Sequence, residues 1–425
     1  MRPRVAVVFH SRHGTMRALA ASAAEGARSF GAEVRLLRVA DVTAGPDREP
    51  WPETAAVPED VLWADGLVLA TPTYFGNVSG PFKHFLDATS PLWKQGLLAD
   101  RVVTGMTSST CVHGGREATL LTLYQTAYHW GAWTLGAEPG DPVFQRVGAN
   151  PYGLSVTPRR DGRLGEPELT AAWALGRRLA DAAARARAQA ESVPPEPGRS
   201  RVTVVHCAED EAVRLLAQEC AAGARELGAE VRLRRLAGPG LPQESGLPGR
   251  SGGAPPAAPA TALDVTWADA VAFGAPVRAG AVAAPLLGFV QSLAHPLDGV
   301  AGPGPLTGKP ASAFVATGHP HAGSESALLS LHHVLHHCGA LVVPPGYTDP
   351  AVFAAGGNPY GTSYSRSTGP APSAEVLAAA RHQGRRMALA GHRLRRKALP
   401  SEGGTAAAPG AHTSLDKEAL EKEAS

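Results

Sequence analysis

Two hydrophobic patterns alternate along the chain. Short uninterrupted apolar runs are followed by longer stretches in which alanine and leucine return at helical spacing. The runs at residues 5–9, 33–39, 67–70, 102–107 and 133–136 predict strands, and those at 16–30, 80–89, 115–131 and 167–190 predict helices. A proline-containing loop through Trp51 and Pro58 separates the second strand from the third, which Ala64, Asp65 and Gly66 introduce. Unbroken apolar strands alternating with helices predict a parallel sheet covered on both faces.

The whole pattern then runs a second time. GAEVRL stands at 31–36 and again at 228–233, and NPYG at 150–153 and 358–361. Trp63, Ala64 and Asp65 are echoed by Trp267, Ala268 and Asp269, and Pro72 and Pro81 by Pro276 and Pro285. His129-Trp130-Gly131 returns as His337-Cys338-Gly339. A repeat that covers nearly all of each half is a tandem duplication of one α/β domain. The expected boundaries are 1–190 for the first domain, 191–200 for a linker and 201–399 for the second domain. A Gly/Pro/Ala-rich insertion at 238–260 and a tail at 400–425 are expected to be disordered. The basic stretch 385–397 reads as the solvated end of the last helix.

Composition narrows the class. Of 425 residues 44% are hydrophobic and 18% charged, which permits a packed interior, and a net charge of +2 argues against a nucleic-acid partner. Cys111, Cys207, Cys220 and Cys338 form no metal-ligand spacing, so neither a metal site nor a disulfide framework is expected. With no signal-peptide pattern and no apolar run long enough to insert in a bilayer, the expected compartment is the cytoplasm. His332, His333, His336 and His337 stand at i, i+4 spacing and read as a helix face with one ligand-contacting histidine rather than a metal site.

Ligands of an open parallel sheet bind beyond the carboxyl ends of its strands. Three loops of the first half leave strands at that edge. Ser11, Arg12, His13, Gly14, Thr15 and Met16 join the first strand to a helix start, which supplies N–H groups and a favourable dipole for a phosphate. Pro72, Thr73, Tyr74, Phe75, Gly76 and Asn77 offer aromatic faces beside backbone polar groups. Ser109, Thr110, Cys111, Val112, His113 and Gly114 are rich in hydroxyls and glycine and could wrap a ring's other edge. A phosphate joined to a flat ring describes a mononucleotide such as FMN.

SRHGTM, PTYFGN before a Gly-Pro helix start and FLD, Leu92-Trp93, SST with GGRE, His129 before Gly131, and NPYG occur in that order. Over about residues 4–185 this set resembles the WrbA family of flavodoxin-like NAD(P)H:quinone oxidoreductases. About residues 201–390 resemble it too, notably at ATGHPHAGSE, GGNPYG and AARHQG. The resemblance implies two tandem flavodoxin-like, doubly wound parallel five-stranded sheets. It implies that residues 11–16 hold the FMN phosphate, Thr73, Tyr74 and Phe75 border the ring, and residues 109–114 hold its pyrimidine edge. His129 would stabilise charge on the reduced flavin as the catalytic residue, His13 would contact the nicotinamide donor, and Trp93 the acceptor. Trp93 reads equally as packing. Hydride would pass from NAD(P)H to flavin N5, and two electrons then to a quinone. The family is tetrameric, so a homodimer of tandem chains is expected. Cys111, Val112 and His113 depart from the family's glycine and threonine run, so a flavin-binding regulatory or scaffold protein is the alternative.

The second half departs further. Its first loop is His206-Cys207-Ala208-Glu209-Asp210-Glu211, with three acids where a phosphate would bind, and its second, residues 276–281, has no aromatic residue. His337 remains. The expectation is a half without its own FMN that walls the first half's site as a built-in partner subunit.

Overall fold

The computed structural model describes residues 2–41, 52–138, 140–187, 200–236, 257–294 and 303–395. Most of the expected linker (191–199), most of the insertion (238–256) and the tail (400–425) lie outside the described residues. The first half runs β1 (Arg4–Phe9), α1 (Thr15–Ser29), β2 (Glu33–Arg38), β3 (Thr54–Ala55), α2 (Pro58–Trp63), β4 (Gly66–Pro72), α3 (Gly80–Ala88), α4 (Ser90–Lys94), β5 (Val102–Ser108), α5 (Arg116–Trp130), β6 (Trp133–Leu135), α6 (Pro142–Gln145), β7 (Leu154–Val156) and α7 (Glu166–Arg187). The second half repeats it as β8 (Arg201–Cys207), α8 (Glu211–Glu226), β9 (Glu230–Leu236), β10 (Ala258–Pro259), α9 (Ala262–Trp267), β11 (Ala270–Arg278), β12 (Ala281–Val282), α10 (Ala284–Ala294), β13 (Pro310–Thr317), α11 (Ser324–His337), β14 (Leu341–Val342), α12 (Pro350–Ala354), β15 (Thr362–Ser365) and α13 (Ala374–Arg395).

The five expected strands of each half are present in the doubly wound order β2-β1-β4-β5-β6 and β9-β8-β11-β13-β14. Each half also carries a short outer-edge strand, β3 or β10, and a short strand, β7 or β15, beside β5 or β13. β10 falls inside the stretch expected to be a disordered insertion, because its backbone completes the edge of β9. These strands and helices α4 and α6 are too short to leave a periodic signal.

The two expected five-stranded sheets are present and are joined edge to edge. β14 pairs antiparallel with β6, Leu341 opposite Leu135 and Val342 opposite Thr134, so the described strands form one fifteen-stranded sheet. One hydrophobic cluster covers each face, and each runs through both halves. On one face α1 packs on α7 with almost no separation. A Cβ at Gly26 would lie 1.9 Å from the Trp173 carbonyl oxygen, and one at Gly176 1.9 Å from that of Ala23. Gly223 and Gly384 repeat this contact between α8 and α13.

The basic end of α13 is also not the solvated terminus expected. Arg386 and Arg393 are buried. They reach across to Asp100 of the first half at 2.9 and 3.2 Å, and Arg386 also donates to the Gly131 carbonyl at 2.9 Å. Burial raises the cost of ionising Asp100, but the two guanidinium groups outweigh it and hold its pKa below the usual value.

Candidate functional site

The first loop is shaped by Gly14, whose φ of 87° only glycine adopts without strain. Its N–H donates to Ser11 Oγ at 3.1 Å, and no side chain caps α1. The first-turn N–H groups of a helix have no partner within it, so this start is an uncapped anion seat. Arg12 and His13 are exposed beside it. Met16 is buried in the core and contributes only backbone to the seat.

The second loop turns sharply. Tyr74 and Asn77 exchange two backbone hydrogen bonds, of 2.9 and 3.0 Å, around Phe75 at φ 51° and Gly76 at φ 75°. The turn holds Phe75 fully in solvent and leaves Tyr74 exposed. Thr73 is anchored by its hydroxyl to that of Thr119 at 2.5 Å and by its N–H to the Ser108 carbonyl at 3.0 Å. Pro72 ends β4 opposite Ser108. A buried chain runs from His10 Nδ1 to Ser79 Oγ at 2.8 Å and on to Thr71 Oγ1 at 3.1 Å, tying the first loop to the second.

The third loop closes on the other two. Ser109 donates its N–H to the Val156 carbonyl at 3.1 Å and its Oγ accepts the Cys111 N–H at 3.3 Å. A Cβ at Gly114 would lie 2.1 Å from Ser109 Oγ, and one at Gly115 2.7 Å from Gly76 Cα. Both glycines are therefore needed for the close approach. Arg116 braces the loop through the Val112 carbonyl at 2.9 Å and the Ser155 carbonyl at 3.2 Å. Thr110, Cys111, Val112 and His113 are exposed, so the bulk noted in the sequence faces outward. The eighteen positions of the three loops are thus gathered at one sheet edge.

His129 and Trp93 are not gathered there. α5 starts at the third loop and carries His129 near its far end, about 20 Å away at 1.5 Å per residue. His129 Nε2 instead faces Tyr360 Oη of the second half at 3.4 Å, and Trp93 Nε1 donates to the His129 carbonyl at 2.7 Å. The Trp93 ring meets that of Tyr347 edge-on at 5.5 Å. Burial lowers the His129 pKa, with the charge of Glu325, in the first turn of α11, opposing it.

The reciprocal contact brings a different histidine to the first half. His337 Nε2 lies 3.0 Å from Tyr152 Oη, and the two rings meet at 5.4 Å. Burial lowers the His337 pKa, and the charge of Glu117, one turn from the third loop, opposes it. Tyr152 is set by its own N–H bond to Asn150 Oδ1 at 3.1 Å and by Asn150 Nδ2 to Ser155 Oγ at 3.0 Å. Tyr152, Glu117, Thr119 and Arg116 escaped the sequence reading. The repeated NPYG was the available signal for Tyr152. Between the halves His332 and His336 are fully enclosed, and burial lowers both pKa values to about 3. Among the described residues no group of three or more His, Cys, Asp or Glu side chains could hold a metal ion.

The chain matches proteins of known type over each half. The NADPH-dependent FMN reductase family pattern covers residues 3–141 and again 201–350. An NAD(P)H dehydrogenase (quinone) of Deinococcus radiodurans is 42% identical over 168 residues, 36% of this chain and 82% of that protein. One of Acidithiobacillus ferrooxidans is 33% identical over 197 residues, 42% of this chain and 96% of that protein. A solved WrbA-like flavodoxin from Agrobacterium tumefaciens is 25% identical, with a TM-score of 0.33, covering 44% of this chain and 99% of its own. With the family pattern met twice over most of its length, the chain belongs to the NADPH-dependent FMN reductase family, as a tandem pair of flavodoxin-like domains.

Proposed function

We propose that the first half binds FMN and, with NAD(P)H as donor, reduces a quinone-type acceptor by two electrons, while the second half serves as its built-in partner subunit. The observation that carries this reading is the division of labour between halves. The uncapped α1 start and three intact loops lie in the first, and the histidine that meets Tyr152 and Glu117 beside those loops comes from the second.

The residues present fit FMN. The seat formed by residues 11–16 offers N–H donors with no acidic residue in the first turn of α1, and Gly114 and Gly115 keep the third loop where a Cβ would intrude. Those N–H groups and the Ser11 and Thr15 hydroxyls would hold the phosphate, Thr73, Tyr74 and Phe75 would border the ring, and residues 109–114 would hold its polar edge. Bound there, FMN supplies the hydride and electron chemistry. The chain's part is to orient, shield and tune. Tyr152 holds the His337 ring by its Nε2 at 3.0 Å, and the tautomer with its proton on Nδ1 would make that atom the donor toward developing negative charge. The exposed His13 is suited to the donor's approach. Relatives that match over 36–42% of this chain carry the name NAD(P)H dehydrogenase (quinone), which supports the acceptor class. Two tandem chains would pair as a homodimer, and a cytoplasmic setting suits a nicotinamide donor.

Release and quantification of flavin from the purified chain tests the reading. About one FMN per chain and quinone-dependent NAD(P)H oxidation are expected. A flavin-loaded protein without acceptor-dependent turnover would favour the scaffold alternative instead.

A further inference from the structure

The two helix starts that should be equivalent are built oppositely. In the first half Gly14 precedes α1 and no side chain caps it. In the second half Asp210 takes the corresponding place before α8, and its Oδ1 accepts the Val213 N–H at 3.1 Å. The Asp210 side chain is only 7% exposed, and its other oxygen is bound by Arg366. The flanking acids are also matched. Arg278 reaches Glu209 at 2.9 Å, and Arg214 Nε reaches Glu211 at 2.8 Å. Three carboxylates facing three guanidinium groups leave the loop near neutrality, so the like-charge repulsion expected from sequence is largely compensated. The seat is closed by occupancy.

We propose that Asp210 is the second half's built-in substitute for a ligand phosphate, its carboxylate clamped by Arg366 and seated on the first N–H groups of α8. The inference rests on the reading that only the first half takes FMN, and it supplies the physical reason. A cavity of about 230 Å³ opens beside the seat, lined by Glu209, Asp210, Glu211, Tyr364, Arg366 and Pro370 among others. Removing the Asp210 charge leaves Arg366 unmatched above an open helix start, with room for an inorganic phosphate. A substituted seat should therefore accept from solution the anion that the native chain supplies itself.

The experiment uses the FMN-saturated chain, so that the first half's seat is filled. Wild type, Asp210→Gly and Asp210→Ser are melted across a phosphate titration, with chloride holding ionic strength constant. The Ser variant retains a capping hydroxyl and folds if the Gly variant does not. Loss of the cap and ion pair lowers the melting temperature by about 2–4 °C. Millimolar phosphate restores it in both variants, leaves the wild type unchanged, and has no effect once Arg366→Gln is added. A melting temperature independent of phosphate in the folded variants, or an equal rise in the wild type, overturns the proposal. Flavin is counted in the same samples. Absence of flavin would overturn the flavin reading, whereas the difference between variant and wild type reads the Asp210 seat separately.

Discussion

Tyr152 and Tyr360 show how a single residue type is used twice across the junction. Each lies in an NPYG turn, and each faces a histidine at the end of the opposite half's helix, His337 at 3.0 Å and His129 at 3.4 Å. Residue i of one half meeting j of the other, and j meeting i, is the mark of a two-fold contact. Tyr152 is a positioning residue under the proposed function, because it acts through His337. Tyr152→Phe removes one hydrogen bond of about 1 kcal/mol, so quinone-dependent kcat should fall about 3- to 10-fold with flavin content unchanged. Its hydroxyl also favours the neutral imidazole. The acid limb of kcat against pH should therefore move up. An unchanged pH profile would mean that Tyr152 only packs. Other repeated residues proved to be structural. Asp65 and Asp269 each accept the N–H at the start of the neighbouring strand, from Arg4 and Arg201 at 2.8 Å. Trp63 and Trp267 each lie under an arginine, Arg35 and Arg232, at 4.0 Å.

At the scale of elements, the loop-to-helix junctions carry the difference between the halves. The second turn is retained in backbone, Ala279 at φ 50° and Gly280 at 79° matching Phe75 and Gly76, while its aromatic surface is gone. The first junction can be converted in the direction opposite to the Asp210 variants. Gly14→Asp places a carboxylate where the phosphate is proposed to bind. At 4 Å and an effective dielectric near 20 each such contact costs ~4 kcal/mol, so FMN retention should fall at least ~100-fold. The flavin-free variant should melt within about 4 °C of its parent, since the cap gained offsets the backbone strain. Equilibrium dialysis against FMN and a thermal melt check the two halves of that expectation. The long elements and the eighteen loop positions were legible in the sequence, because apolar periodicity and Gly-rich junctions are local signals. The two-residue strands were not, since their only cause is an adjacent strand edge.

For the molecule as a whole the junction between halves is the new feature, and it is polar where most cores are not. His336 stacks on Tyr124 at 5.1 Å and its Nε2 meets Thr134 Oγ1 at 3.2 Å and Tyr128 Oη at 3.3 Å. Both ring nitrogens of His332 are without a hydrogen-bond partner among the described residues. Tyr128, the neighbouring His333 and His336 face it, and among the described residues no carboxylate opposes the lowering of its pKa. Folded pKa values near 3 lie below the unfolded value of about 6.5. The unfolded chain therefore binds protons first as pH falls. Stability is complete above pH 6.5 and is lost towards pH 3, by about 1.4 kcal/mol per unit for each histidine. His332→Phe should flatten that slope by about one histidine's share in denaturant titrations at pH 4 to 7, with little cost at pH 7. A slope equal to the wild type's would show that His332 is already paired.

The sequence by itself determined the tandem repeat, the doubly wound order within each half, the three strand-end loops of the first half, and the loss of aromatic surface in the second half. Each of these is written in local pattern, in apolar period, glycine placement and side-chain type. Only the tertiary structure decided which histidine meets which half's NPYG tyrosine. It also decided that β6 and β14 join the sheets and that the basic end of α13 is buried on Asp100. The physical reason is the antiparallel pairing of two short edge strands. That pairing accompanies the meeting of the ends of α5 and α11 with the NPYG tyrosine of the opposite half, and no spacing along one chain encodes which edge meets which.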